Sequence, residues 1–134
     1  MSAGSNVEIA RKYLQAIEGG TTGDAIAKFF TSDVVCEEMP NTVSPKGRKT
    51  ALPEMLKGAE RGQEIFSKQT YEVLNAVAQG DCVALEFLWT GTLKITFGKL
   101  AAGAVMRDHV ATFLTFREKK IARQTLYDCF EAWE

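Results

Sequence analysis

The sequence predicts an α+β fold in which helices pack on one face of an antiparallel sheet. Two observations carry that prediction. Helical apolar spacing is confined to the first half of the 134 residues, and from Gln69 onward the chain turns to long stretches rich in Val, Thr, Phe, Tyr and Trp. Helices first and strands afterwards give a segregated architecture rather than alternating βα units. All three prolines, Pro40, Pro45 and Pro53, fall in one short span and mark a single irregular connection. With no repeats, low-complexity tracts or long linkers, residues 1–134 read as one domain.

The elements follow in order. Ser5 and Glu8 have capping-box spacing, and Val7, Ala10, Leu14 and Ile17 then form one apolar stripe, so a first helix runs to Gly19-Gly20. Asp24 opens a short second helix through Phe30, and residues 34–39 form a strand. Pro53 fits the first turn of a third helix, where its missing amide has no partner to lose; that helix runs to about Glu60 and breaks at Gly62. Strands are expected over residues 70–79, 82–93, 105–116 and 121–133. Gly80-Asp81 makes a tight hairpin, and Arg117 to Lys120 makes another without the usual glycine. Residues 98–103 form an irregular connection between Gly98 and Gly103.

Strand parity decides what faces the helices. Val83, Leu85, Phe87 and Trp89 share one face, and it is this set that meets them. Further on, Val105, Ala111 and Phe113 oppose Met106, Val110 and Leu114, so both faces are apolar. Burial of the outer face against a second copy accounts for this, and a homodimer is expected.

Composition excludes several classes of function. Sixteen basic and seventeen acidic residues leave a net charge of −1 with no polybasic run, which argues against nucleic-acid binding. No apolar run is long enough to cross a membrane, and the N-terminus has no secretion-signal pattern, so a cytoplasmic protein is expected. Cys36, Cys82 and Cys129 form no CxxC pair, and the single histidine, His109, lies near none of them in sequence. They read as thiols packed inside strands, and no metal site is expected. No GxGxxG or P-loop pattern occurs, and no cofactor is indicated.

The order of elements resembles the nuclear transport factor 2-like superfamily, which holds ketosteroid isomerase, limonene epoxide hydrolase and the SnoaL-like polyketide cyclases. Phe30-Thr31-Ser32-Asp33-Val34-Val35-Cys36-Glu37-Glu38 resembles the isomerase segment that ends in its catalytic aspartate, with Glu38 at that place. Arg11-Lys12-Tyr13-Leu14 resembles the stretch carrying the isomerase's oxyanion-hole tyrosine. Cys36-Glu37-Glu38-Met39-Pro40 and Gly47-Arg48 are similar to the hydrolase's first strand, and the ending from Lys120 to Trp133 is similar to uncharacterised bacterial members. The resemblance implies a cone: a curved, antiparallel to mixed sheet closed by helices, with a ligand entering the wide mouth. It places Asp108, Val110, Thr112, Leu114, Gln124, Leu126, Asp128, Phe87, Trp89, Cys36 and Glu38 on the inner surface. The epoxide hydrolase's Asp-Arg-Asp set falls on Trp89, Phe87 and Leu126, all apolar here, so that mechanism has no residues to run on. The isomerase's second oxyanion donor falls on Thr112, a poorer donor, which argues against steroid isomerisation.

Each candidate has two readings. Glu38 is a desolvated general base on the inner face of a strand, or a strand-end carboxylate bonded to amides of the 40–45 loop. Tyr13 polarises a substrate oxygen, or is a boundary tyrosine with a wet hydroxyl. Asp128 and Asp108 are proton donors paired with Glu38; otherwise Asp128 meets water at the rim and Asp108 pairs with Arg107 or His109. His109 falls on the outer face with Arg107 and Ala111. Two functions follow. One is a cofactor-independent isomerase, cyclase or lyase of SnoaL-like type, acting on a small hydrophobic carbonyl compound. The other is a non-catalytic ligand-binding or dimerisation domain using the same cone.

Overall fold

The protein is described here from a computed structural model covering residues 3–132. Its order is α1 (Ala3–Glu18), α2 (Gly23–Ala27), β1 (Phe30–Glu38), β2 (Arg48–Ala51), α3 (Leu52–Ile65), β3 (Phe66–Gln79), β4 (Cys82–Leu93), β5 (Val105–Arg117) and β6 (Lys120–Phe130). The expected α+β architecture is present: three helices and one six-stranded curved sheet, ordered β2-β1-β6-β5-β4-β3. The sheet is mixed, because β1 runs parallel to β6 while every other pairing is antiparallel.

Several boundaries differ from expectation for local reasons. Helix α1 already includes Ala3, so Ser5 lies inside its first turn rather than capping it. Helix α2 ends at Ala27, and Phe30, read as helical, instead opens β1 and is buried. Helix α3 runs through Gly62 to Ile65 and passes directly into β3. Its start is held by Glu54, whose carboxylate accepts the Ala51 backbone N–H at 3.2 Å. The short strand β2 had no sequence signal, since Arg48 to Ala51 carries no apolar alternation. Strand β6 ends at Phe130, and Trp133 lies outside the described residues.

Cross-strand register sorts the inner face into rows. One row reads Tyr71, Trp89, Asp108, Phe130 across β3 to β6, and the next reads Val73, Phe87, Val110, Asp128. Below them come Leu85, Thr112 and Leu126, reaching Glu38 on β1, and then Val83, Leu114 and Gln124, reaching Cys36. Strand β5 alternates buried and exposed along its whole length, so Met106, Asp108, Val110, Thr112 and Leu114 all point inward. The lower rows are the dry core: Val83, Leu85, Leu114 and Ile121 are nearly inaccessible and pack with Ala10 and Leu14 of α1. The β5–β6 turn places Glu118 and Lys119 at φ 51° and 68°, the left-handed pair that a two-residue hairpin needs.

The cysteines do not all pack inside. Cys36 is buried, Cys82 is half-buried and Cys129 is exposed on the outer face, because parity on β6 turns it away from Asp128. Gly91 sits where the Trp89 indole folds back along β4; a Cβ there would stand 2.5 Å from two ring carbons and 3.0 Å from the Phe66 ring. Replacing Gly91 by Ala is expected to displace the indole and cost about 1–3 kcal/mol, as overpacking does. Urea denaturation of the variant checks this.

Candidate active site

The upper rows of the sheet, with α1 and the start of β3, enclose a cavity of about 340 Å³. Its walls are aromatic and aliphatic: Trp89 meets Phe66 edge-on at 5.1 Å and Phe130 at 6.4 Å, and Tyr71 leans on Phe87 at 5.5 Å. Val110 and Leu126 complete the apolar lining beneath them. The Trp89 indole N–H donates to Gln69 Oε1 at 3.0 Å, which fixes the ring's tilt.

Two carboxyl groups project into this apolar space. Asp128 faces Val110 across the β5–β6 ladder and Asp108 faces Phe130, so the two aspartates are diagonal neighbours on one face. Asp108 is only 3% exposed. Asp108 Oδ1 and Asp128 Oδ2 are buried, and no hydrogen-bond partner among the described residues reaches either. Two charged carboxylates side by side in an apolar space are costly, which favours keeping a proton on one of them. Burial first, and Asp128 second, push the Asp108 carboxyl up to about 9, while the Cys129 backbone amide acts weakly the other way. At neutral pH Asp108 therefore keeps its proton and is a donor.

Tyr13 also lines the cavity, from α1. Its hydroxyl donates to Gln124 Oε1 at 3.2 Å, and its ring is held edge-on against Phe30 at 5.3 Å. Burial raises its pKa, so it stays protonated. Cys36 and Thr112 point inward but lie beneath the cavity rather than on its lining. Cys36 sits at the back of Gln124, its Sγ 3.9 Å from Oε1, and burial followed by the Glu38 charge pushes the thiol up to about 11. Thr112 is 1% exposed and spends its hydroxyl on the Thr125 carbonyl at 3.0 Å.

Glu38 lines a different hollow, of about 290 Å³, bounded by α2, α3 and the inner edge of β1. Its side chain is 32% exposed and stands 4.0 Å from the Arg48 guanidinium. Burial, then Asp128, raise its pKa, with Arg48 opposing. Its neighbour Glu37 faces the other way and accepts from Arg123 at 2.9 Å. His109 lies on the outer face, where Nε2 is 3.0 Å from Glu86. Among the described residues no three His, Cys, Asp or Glu side chains converge as a metal site would require.

Tyr71 and Gln69 line the cavity without having been expected there. The Tyr71 hydroxyl is held protonated by burial and by the nearby Glu18, Asp128 and Asp108 charges. Counting back from the Gly80-Asp81 turn puts Glu72, not Tyr71, opposite Trp89. A bulge between Val73 and Asn75 shifts the register by one and turns Tyr71 inward.

The cone formed by this curved mixed sheet and its helices is the fold of the SnoaL-like proteins. The sequence pattern of the SnoaL-like domain matches residues 10–124, and the chain belongs to that family. Among curated proteins no relative matches. Solved structures with this fold include AclR of Streptomyces galilaeus, a proposed hydroxylase, at 21% identity over 97% of this chain and 77% of that one, TM-score 0.77. IdmH of Streptomyces antibioticus, a proposed polyketide cyclase, gives 19% identity over 92% of this chain and 91% of that one, TM-score 0.76. An LEH-like epoxide hydrolase of M. tuberculosis gives 12% identity over 95% of this chain and 84% of that one, TM-score 0.74. No helix among the described residues is long and apolar enough to cross a membrane.

The buried acid couples stability to pH. A carboxyl whose pKa is higher folded than unfolded holds its proton longer in the native state, so stability falls as pH rises from about 4 to about 9. Asp108→Asn keeps a neutral side chain of the same shape and removes that dependence. Its Tm is expected to exceed wild type by roughly 5–10 °C at pH 8 and to match it at pH 4, as measured by calorimetry.

Proposed function

We propose that the cavity binds a small hydrophobic carbonyl compound and moves a proton at the carbon beside the carbonyl, without a cofactor, as an isomerase, cyclase or lyase. The observation that carries this reading is the Asp108–Asp128 pair, diagonal neighbours on one face of an apolar cavity, with burial and Asp128 holding the Asp108 carboxyl above the usual range. Asp128 takes the α-proton, and the C–H electron pair moves into the carbon–carbon bond of an enol. Asp108 donates to the carbonyl oxygen as negative charge gathers there, the role a carboxylic acid kept neutral by apolar surroundings is suited to. Returning the proton to a different carbon completes an isomerisation, and attack of the enol carbon on a second carbonyl of the same molecule completes a ring closure.

Tyr13 contributes a second hydrogen bond when its hydroxyl swings from Gln124 to the ligand. Phe87, Trp89, Val110 and Leu126 exclude water, which strengthens every polar contact inside. Glu38 is given no part in the transfer, because it opens into the other hollow. The relatives' assignments as hydroxylase and cyclase are compatible with oxygenated ring substrates.

Deuterium uptake into the methyl group of 2-acetylnaphthalene in D2O tests the reading. The protein is expected to accelerate exchange over buffer, with an alkaline fall-off near pH 9 as Asp108 loses its proton. Asp128→Asn is expected to lose on the order of 100-fold. Saturable binding with no exchange by wild type sinks the catalytic reading and leaves ligand storage as the cavity's task.

The homodimer is part of the same proposal. Phe113 and Tyr127 pack edge-on at 6.0 Å on the outer face and are 46% and 44% exposed, with Val105 and Val77 also exposed. An apolar surface of this kind supports burial against a second copy. Sedimentation is expected to show a dimer and Phe113→Asp a monomer that still binds 2-acetylnaphthalene; a monomeric wild type overturns it.

A further inference from the structure

The two hollows abut. Tyr13, Ile17, Gln69 and Tyr71 line both, so they form the partition between the carboxyl-pair cavity and the hollow containing Glu38. Tyr13 is tied by one hydrogen bond of 3.2 Å to Gln124, and Gln69 by one of 3.0 Å from Trp89. On its far side the Gln69 amide lies against Gly62 of α3, where a Cβ would meet Nε2 at 3.3 Å. A ligand that spans both spaces has to displace the Gln69 side chain and break the bond it accepts from Trp89.

The two ends differ chemically. The first is almost wholly apolar around its acid pair, whereas the second mixes Ile26, Met55 and Leu56 with Thr21, Gln63 and Glu38. Among the described residues Glu38 has no short partner: Arg48 stands 4.0 Å away and exposed, an arrangement that holds little free energy. A half-buried carboxylate on the wall of a second compartment is an unfilled acceptor.

We infer that the second hollow is a subsite for the tail of an extended substrate, a tail ending in a hydrogen-bond donor that Glu38 accepts, while the carbonyl-bearing ring occupies the first cavity. This rests on the reading above for the ring end. It makes Gln69 and Glu38 the residues that select for length and for the tail's terminal group.

The test compares three probes by fluorescence titration: 2-acetylnaphthalene, and its 6-(4-hydroxybutyl) and 6-(4-aminobutyl) derivatives. Both tailed probes are expected to bind about tenfold more tightly than the short one. Gly58 lines the second hollow, and a Cβ there meets nothing within 4 Å, so the position accepts a side chain and Gly58→Phe is one plug. That variant is expected to abolish the tail's gain and leave the short probe's Kd unchanged, which also shows that it is folded; Ala59→Leu is an independent plug from the next position. Glu38→Gln should keep the gain for the hydroxyl tail and lose it for the ammonium tail, since an amide accepts a hydrogen bond but carries no charge. No gain in wild type, or a gain that survives both plugs, overturns the subsite. Failure of all three probes to bind overturns the ring-cavity reading instead.

Discussion

The pairing of β5 with β6 is the constraint on which the site depends. Val110 opposite Asp128 and Phe130 opposite Asp108 bring two acids onto one face at diagonal spacing. A slip of one residue in β5 would turn Asp108 to the outer face, away from Asp128, and bring Arg107 and His109 inward. The register is pinned at one end by the left-handed Glu118-Lys119 turn and by the shift between Thr115 and Phe116 that follows it. Along β4 the pairing with β5 has no irregularity, which keeps Trp89 beside Asp108. Holding two carboxyls out of water opposes folding, and the apolar rows below them supply the burial that offsets it.

That tension separates the molecule into two zones. The lower rows contain Val83, Leu85, Leu114 and Ile121 and carry stability. The upper rows carry unsatisfied oxygens, protonated tyrosines and a cavity, and stabilise the fold little. Stability and chemistry are thereby separated within one sheet. The positions of Phe87, Trp89 and Leu126 show the principle, since side-chain identity on an unchanged face decides whether a cone is a wet acid site or a greasy pocket.

Regular alternation made much of this legible from sequence. The inward sets on β4 and β5 follow parity because their ladder has no bulge, and that parity brings Phe87, Trp89, Asp108 and Val110 to one cavity. Asp128 lies on β6 beyond a register shift, and its inward place is what the family resemblance implies. Tyr71 was not legible, because one extra residue at the β3 bulge reverses every side chain beyond it and nothing in Val73-Leu74-Asn75 announces the bulge. Glu38 was legible as an inward acid but not as the occupant of another compartment. The partition depends on where Tyr13 and Gln69 settle, which is decided by tertiary packing. Strand β2 is formed by its partner β1 rather than by its own polar residues, and α3 tolerates Gly58 and Gly62 because neighbouring elements hold it.

The position of β6 bears on how the molecule assembles. It comes after every other strand in the chain yet lies in the interior of the sheet, joining β1 on one side to β5 on the other. The β1–β2 pair and the helices beside it thus have no permanent seat while the chain is still emerging from the ribosome. Their nascent apolar surfaces wait for a strand synthesised about ninety residues after β1 begins, a delay set by topology.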